Sequence, residues 1–277
     1  MAAHRPLLYA GFQGRCLKGS QHGFRLGNSS RRLSNVTIAA ERPQESTRWT
    51  GTRKVMEHLV LYKMKGDITD EQEKDMLDHL YSLQYHYRGI LAVSLGSVVE
   101  RMPEGVTHAF SQRFPSFEAL EQYMDHPARL KITDEFISPF CKGIIEADFE
   151  AEVEDDLEPL FRRGDQFQQG IEHVVLIKLR EGASQAAAQG MLDAFNSLPQ
   201  QIDSSVIVQL TAGANISDRN KGYTHAVLVR VPSEEALETF SKHPAYRRVF
   251  TENVLPISAG LLSADFLVDP VTKSSPL

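Results

Sequence analysis

Cysteine is nearly absent from this chain of 277 residues: only Cys16 and Cys141 occur. Two thiols cannot frame a disulfide-stapled fold, and neither stands in a zinc-ligand spacing. Long apolar runs are missing too. No stretch approaches the ~18 consecutive apolar residues that a spanning helix needs, so no membrane crossing is expected. Acid is missing from one region. Residues 1–40 contain Arg5, Arg15, Lys18, Arg25, Arg31 and Arg32 but no Asp or Glu, the first acid being Glu41. The net charge of −6 therefore belongs to an acidic body, which opposes nucleic-acid binding. A basic, acid-free start containing Ser20, Ser29, Ser30 and Ser34 has the composition of an organelle transit peptide, here spanning residues 1–45. A disordered basic tail that binds polyanions is the alternative. Targeting predicts processing near Val36 to Ala40 and a chloroplast destination, with the mitochondrion second. Ser275-Pro276-Leu277 is a poor likeness of the peroxisomal S-K-L address, since Pro replaces the basic residue.

What the chain does contain is itself, twice. Glu57, His58 and Lys63 of EHLVLYK return as Glu172, His173 and Lys178 of EHVVLIK, an offset of 115. Thr107-His108-Ala109 returns as Thr224-His225-Ala226, His126-Pro127-Ala128 as His243-Pro244-Ala245, and Ala147-Asp148-Phe149 as Ala264-Asp265-Phe266, all at an offset of 117. One two-residue insertion near Gly213 accounts for the change of register. A tandem duplication of a unit of roughly 95 residues follows. The units are placed at 55–150 and 171–268, joined by an acidic linker at 151–170 and followed by a tail at 269–277.

Each unit reads as β-α-β-β-α-α-β. Thr69 with Gln72 opens the first helix as a capping box, and Met76, Leu77, Leu80 and Leu83 give its apolar stripe. Ser184, Met191, Leu192, Phe195 and Leu198 repeat the pattern. Pro115-Ser116 and Pro232-Ser233 end a strand and cap a second helix. This order is a split β-α-β unit, an α+β ferredoxin-like fold with helices on one face of a four-stranded antiparallel sheet. In the first strand both alternate faces are apolar at the centre, so both are expected to be covered. A second sheet is the natural cover, and two sheets face to face make an eight-stranded α/β barrel. The partner is self, as an intramolecular pseudo-dimer or a homodimer. Val60, Tyr62, Phe110, Val175, Ile177 and Val227 are placed in the interior; filled by them, it leaves no room for a substrate, whereas an enclosed cavity of ~300 Å³ or more, lined by a histidine pair, would favour ligand binding.

The EHxVLxK strand, the Thr-His strand, the Pro-Ser-capped helix, His-Pro-Ala and the closing Ala-Asp-Phe strand together resemble the stress-response A/B barrel (dimeric α/β barrel, Dabb) family of plants, in a two-domain form. The resemblance covers roughly 195 residues and implies a ferredoxin-like fold, self-association through the open sheet face and stress-linked expression, mostly without a known reaction. One enzymatic branch, the polyketide cyclases, implies a Tyr three residues before His-Pro and a His two residues after that Pro. Those positions hold Tyr123 and Arg129 in the first unit, and Phe240 and Tyr246 in the second. Neither unit keeps the pair, and an arginine cannot act as a base near neutral pH. The resemblance also implies Mg²⁺ on backbone carbonyls where the first helix ends, at Tyr81, Gln84 and Tyr87 and at Asn196, Pro199 and Ile202, with an ion taken up from crystallisation conditions as the equal alternative.

The remaining candidates are His58 with His108, and His173 with His225, expected to approach one another on the face opposite the helices. With Tyr123 they line a cavity if the barrel keeps one; otherwise they are buried imidazoles satisfied by neighbours. His126 and His243 are expected to bond free carbonyls at a helix end. The reading is a non-enzymatic stress-associated barrel protein. The competing class is a carrier or cyclase-like enzyme with a small apolar ligand inside, and a cofactor-independent monooxygenase rests on fold analogy alone.

Overall fold

The structure, a computed structural model, describes residues 51–99, 105–154 and 170–268. The transit-like segment, residues 155–169 of the linker and the tail lie outside them. The first unit runs β1 (Thr52–Met64), α1 (Asp70–His86), β2 (Ala92–Ser97), β3 (His108–Phe114), α2 (Phe117–Met124), α3 (Pro127–Ile132), a π-helical turn (Thr133–Ile137) and β4 (Cys141–Glu154). The second repeats it as β5 (Ile171–Leu179), α4 (Gln185–Asn196), β6 (Gln209–Ala214), β7 (His225–Val231), α5 (Glu234–Lys242), α6 (Pro244–Val249), a π-helical turn (Phe250–Val254) and β8 (Ser258–Leu267).

The predicted caps form. The Thr69 side chain accepts from the Gln72 backbone while the Gln72 side chain accepts from Thr69 N–H, a closed capping box. Ser116, Ser184 and Ser233 each accept from the backbone N–H three residues on. His126 and His243 do something other than expected. Each side chain accepts from the N–H two residues on, Ala128 or Ala245, so it caps the start of the next helix and does not bond the free carbonyls of the previous one, although the His243 backbone also closes that helix. The Pro that follows sets this up, since it occupies the first helical position and lacks an N–H of its own.

Both sheets are antiparallel, ordered β2-β3-β1-β4 and β6-β7-β5-β8. Ala92 pairs with Arg113 as Gln209 pairs with Arg230, so β2 and β6 already stand at the later offset. The two-residue insertion therefore precedes β6 and does not lie near Gly213. β1 and β4 reach beyond the repeat: Thr52–Val55 pair with Ala151–Glu154, so the strand runs into the residues expected to begin the linker. The sheets meet along two seams within the chain. At one, Val98 bridges to Phe266, and Val99 N–H donates to the Asp265 carbonyl at 2.8 Å. At the other, Ile216 N–H donates to the Asp148 carbonyl at 2.8 Å, and Glu146 N–H to that of Arg219 at 3.1 Å. Two ferredoxin-like units thus build one eight-stranded barrel from a single polypeptide.

The faces are assigned opposite to expectation. Val60, Tyr62 and Phe110 pack under the first unit's helices, against Met76, Leu80, Leu120 and Tyr123. Val175, Ile177 and Val227 do the same in the second unit, against Met191, Phe195 and Phe240. The barrel interior is instead filled by the other parity: Leu59, Leu61 and Phe149 meet Val174, Leu176, Leu228 and Phe266. In a strand covered on both sides each parity is apolar, so alternation alone does not say which faces the helices.

Candidate functional site

Because even-numbered residues of β1 face the helices, His58 lies beneath α2 and not inside the barrel. Its cross-strand neighbours are Asp148 on β4 and Gln112 on β3. The His58 Nδ1 stands 2.6 Å from Asp148 Oδ1, and the residue is 2% exposed. A carboxylate at Nδ1 holds the ring orientation and selects the tautomer that donates there. The ring's other side faces Tyr123 and Phe114, with centroids 6.1 and 6.4 Å away, and those two rings lie 5.0 Å apart. Gln112 is buried beside them, and neither end of its amide makes a well-formed hydrogen bond on the protein. Burial pushes the Tyr123 hydroxyl well above the usual phenol range, against the pull of the Arg129 charge and of the nearby Gln112 amide. Burial likewise raises Tyr62. Burial thus favours the neutral phenol at both positions, the form that offers an O–H to a hydrogen-bond partner.

The second unit repeats the dyad and changes its surroundings. His173, also 2% exposed, places Nδ1 2.5 Å from Asp265 Oδ1 and Nε2 2.9 Å from the Tyr246 hydroxyl. With Nδ1–H donating to Asp265, Nε2 accepts from the Tyr246 O–H. Position by position, Tyr62, Gln112, Tyr123 and Arg129 are replaced by Ile177, Val229, Phe240 and Tyr246. The first unit keeps a polar cluster around its histidine. The second fills the space with apolar groups and closes it with one phenol.

His108 and His225 do not pair with these histidines. His108 puts Nε2 2.7 Å from Glu73 Oε1 on α1 and Nδ1 2.9 Å from Thr107 Oγ1. Ala188 stands where Glu73 would be in the second unit, so His225 keeps the Thr224 contact at 3.0 Å without the carboxylate. Burial lowers the His225 imidazole below its ordinary pKa. The expected meeting of His58 with His108, and of His173 with His225, is thus replaced by four separate imidazoles on the helix side. Each is placed by a neighbour from another element or the preceding threonine.

The carbonyl set implied for Mg²⁺ fits that ion poorly. Tyr81 and Gln84 lie in the last turns of α1, and the Tyr81 carbonyl already accepts from the Gln84 side-chain amide at 3.0 Å. The Tyr87 carbonyl accepts from Ile90 N–H at 3.4 Å. Asn196 ends α4, Pro199 lies in a 3₁₀ turn and Ile202 follows it buried, so the second set is spread over a different backbone path. Neither set offers the carboxylate that Mg²⁺ favours.

Sequence reasoning missed two groups. Asp148 and Asp265, repeated inside Ala-Asp-Phe, hold the two histidines. Glu57, Arg113, Glu172 and Arg230 form a charged layer inside the barrel, with Glu57 and Arg113 0% exposed. Their signal was available: all four recur at the repeat offsets, the two glutamates in a first strand expected to be covered on both faces.

The Stress responsive A/B Barrel Domain (Dabb) family matches the chain twice, over residues 56–151 and 171–268. A similar protein of Arabidopsis thaliana, a stress-response A/B barrel domain-containing protein, is 24% identical over 232 residues, covering 82% of this chain and 84% of that one. Among solved structures, an anthrone oxidase-like protein aligns at 14% identity and TM-score 0.54, covering 78% of this chain and 92% of its own. A candidate monooxygenase of Fusobacterium nucleatum aligns at 9% identity and TM-score 0.54, covering 78% and 93%. At such identities these two structures share the fold alone.

Proposed function

From the premise that the chain belongs to the stress responsive A/B barrel family and carries the domain twice, we propose that it is a non-enzymatic barrel protein of the stress response, assembled through its own two sheets. The observation that carries this reading is the packing at the two histidines, complete at His173, where both nitrogens are taken, and aromatic at His58. His58 and His173 each have Nδ1 on a carboxylate and an aromatic wall opposite, and Tyr246 occupies the remaining nitrogen of His173. A base that abstracts a carbon-bound proton needs a free nitrogen within reach of substrate, and the aromatic packing opposes entry. The test is NMR-monitored aldol closure of a linear polyketide mimic. The protein is expected to leave the uncatalysed rate unchanged. An acceleration that disappears in His58→Ala or His173→Ala would sink the reading.

A second reading, a small-molecule-binding first unit, is favoured by Gln112. A buried amide with neither end well bonded is costly to maintain, and a ligand between Gln112, Tyr123 and His58 would satisfy it. Planar, largely apolar compounds bearing one polar group are the class to screen by thermal shift, since a ligand of the native state raises its melting point. The reading requires that a shift seen with the wild type vanish in Gln112→Val, the residue the second unit carries; a shift that persists excludes this site. Import into an organelle, the chloroplast first, is supported by the composition of residues 1–40, and the distribution of a full-length fluorescent fusion tests it.

A further inference from the structure

The charged layer inside the barrel is built from matched halves. Glu57 lies opposite Arg113 on neighbouring strands of the first sheet, and Glu172 opposite Arg230 in the second. Each sheet contributes one anion and one cation. Charge alone would therefore let either sheet pair with a copy of itself as readily as with the other. Among the residues that touch these charges the sheets differ on β2 and β6, and beside them Ser111 of β3 stands where β7 has Leu228. Gln209 Oε1 accepts from Arg113 Nη2 at 2.6 Å and from Arg230 Nη1 at 3.1 Å, placing one amide oxygen between the two guanidiniums. Thr211 Oγ1 donates to Glu57 Oε1 at 3.2 Å, and Arg230 Nη1 reaches the same oxygen at 3.5 Å. The matching residues of the first sheet are Ala92 and Ser94, opposite Arg113 and Ser111.

We propose that this layer is a pairing code, in which Gln209 and Thr211 against Ala92 and Ser94 match the first sheet to the second in preference to either sheet with its own copy. Two first sheets would bring two Arg113 side chains together with no amide oxygen between them. Two second sheets would bring two glutamines and two threonines into a space that here holds one of each, and overfilled cores are destabilised. The layer is poorly suited to a purely stabilising role. Glu57 Oε2, Glu172 Oε2 and Arg113 Nη1 have no partner on the protein, and buried ion pairs often stabilise less than apolar residues of the same size. What such groups can supply is discrimination among partners, because a wrong pairing strands a buried charge.

The test uses the full chain with a protease site placed in residues 155–169 and cleaved after folding. The nicked protein is diluted and re-equilibrated, and native mass spectrometry counts mixed and self-paired halves. The wild type is expected to re-form mixed pairs well above the statistical share. Gln209→Ala with Thr211→Ser, which gives the second sheet the first sheet's residues, should lower the mixed-to-self ratio by about tenfold or more, the scale of one charge-assisted hydrogen bond. Adding Ala92→Gln and Ser94→Thr to that variant moves the same groups to the other sheet and should restore the ratio. Should the first variant not fold, Ala92→Gln with Ser94→Thr in the wild-type chain must lower the ratio in its place. Statistical re-pairing of the wild type, or a ratio that these exchanges leave unchanged, overturns the proposal.

Discussion

Glu57 shows how one residue can be both costly and necessary. Burial alone would push its carboxyl up, but the Arg113 and Arg230 charges and the bonds from Arg113 and Thr211 outweigh burial and hold it below the usual carboxylate range. A carboxyl depressed in the folded state binds its proton less readily there than in the unfolded chain. Its contribution is therefore complete above the unfolded pKa and is lost as pH falls through the folded value. Glu57→Gln, nearly the same shape without the charge, leaves the buried Arg113 without its carboxylate partner and should cost about 3–5 kcal/mol near neutral pH. Urea titrations from pH 7 into the acid range should show the wild-type and variant stabilities converging as Glu57 protonates. Parallel curves would mean that the ion pair does not set the acid sensitivity. At this scale the sequence was half legible. The repeated histidines, the capping residues and Tyr123 could be picked out, yet Asp148 was invisible as the partner of His58. The two are 90 residues apart and meet only because β4 pairs with β1, a register that no local pattern specifies.

Among elements, repetition carried more information than alternation. The order β-α-β-β-α-α-β and the caps followed from aligning the two copies. The side of β1 that meets the helices did not, because Met56, Val60 and Tyr62 are as apolar as Leu59 and Leu61. The deciding clue lay elsewhere in the strand: Glu57 shares the interior parity and His58 the helix parity, and each needs a partner only one side supplies. The seams are legible in hindsight through two glycines at matching positions. A Cβ on Gly96 would lie 2.0 Å from the Leu267 carbonyl oxygen, and one on Gly213 would lie 2.8 Å from that of Glu150. Each glycine is on an edge strand where the other unit's backbone crosses closely, an approach that a side chain forbids. Gly96→Ala should therefore loosen the β2–β8 seam. Hydrogen exchange at Val99, whose N–H crosses that seam, should accelerate by tenfold or more, the effect of about 1.4 kcal/mol of local opening. Exchange within β5 should change far less.

At the scale of the whole molecule, the apolar interior makes each unit half of a structure. Leu59, Leu61, Ala147 and Phe149 of the first unit are covered by Val174, Leu176, Leu228 and Phe266 of the second. Removing the second unit would return that face to water, at roughly 25 cal/mol for each Å² of apolar surface exposed. Residues 51–154 expressed alone should therefore not persist as a soluble monomer. They should pair through the same face, and light scattering should report a dimer; a stable monomer would show that the interior face is not what drives assembly. The charged layer sharpens this expectation. A homodimer of first units holds two Glu57–Arg113 pairs but has Ala92 where Gln209 would bridge the arginines. It should be the weaker assembly, and an equimolar amount of residues 170–268 should convert it to the mixed pair. Tandem duplication in one chain achieves the same end by concentration, since a tethered partner meets its mate at an effective millimolar level. Sequence divergence between the copies then makes that mate the preferred one.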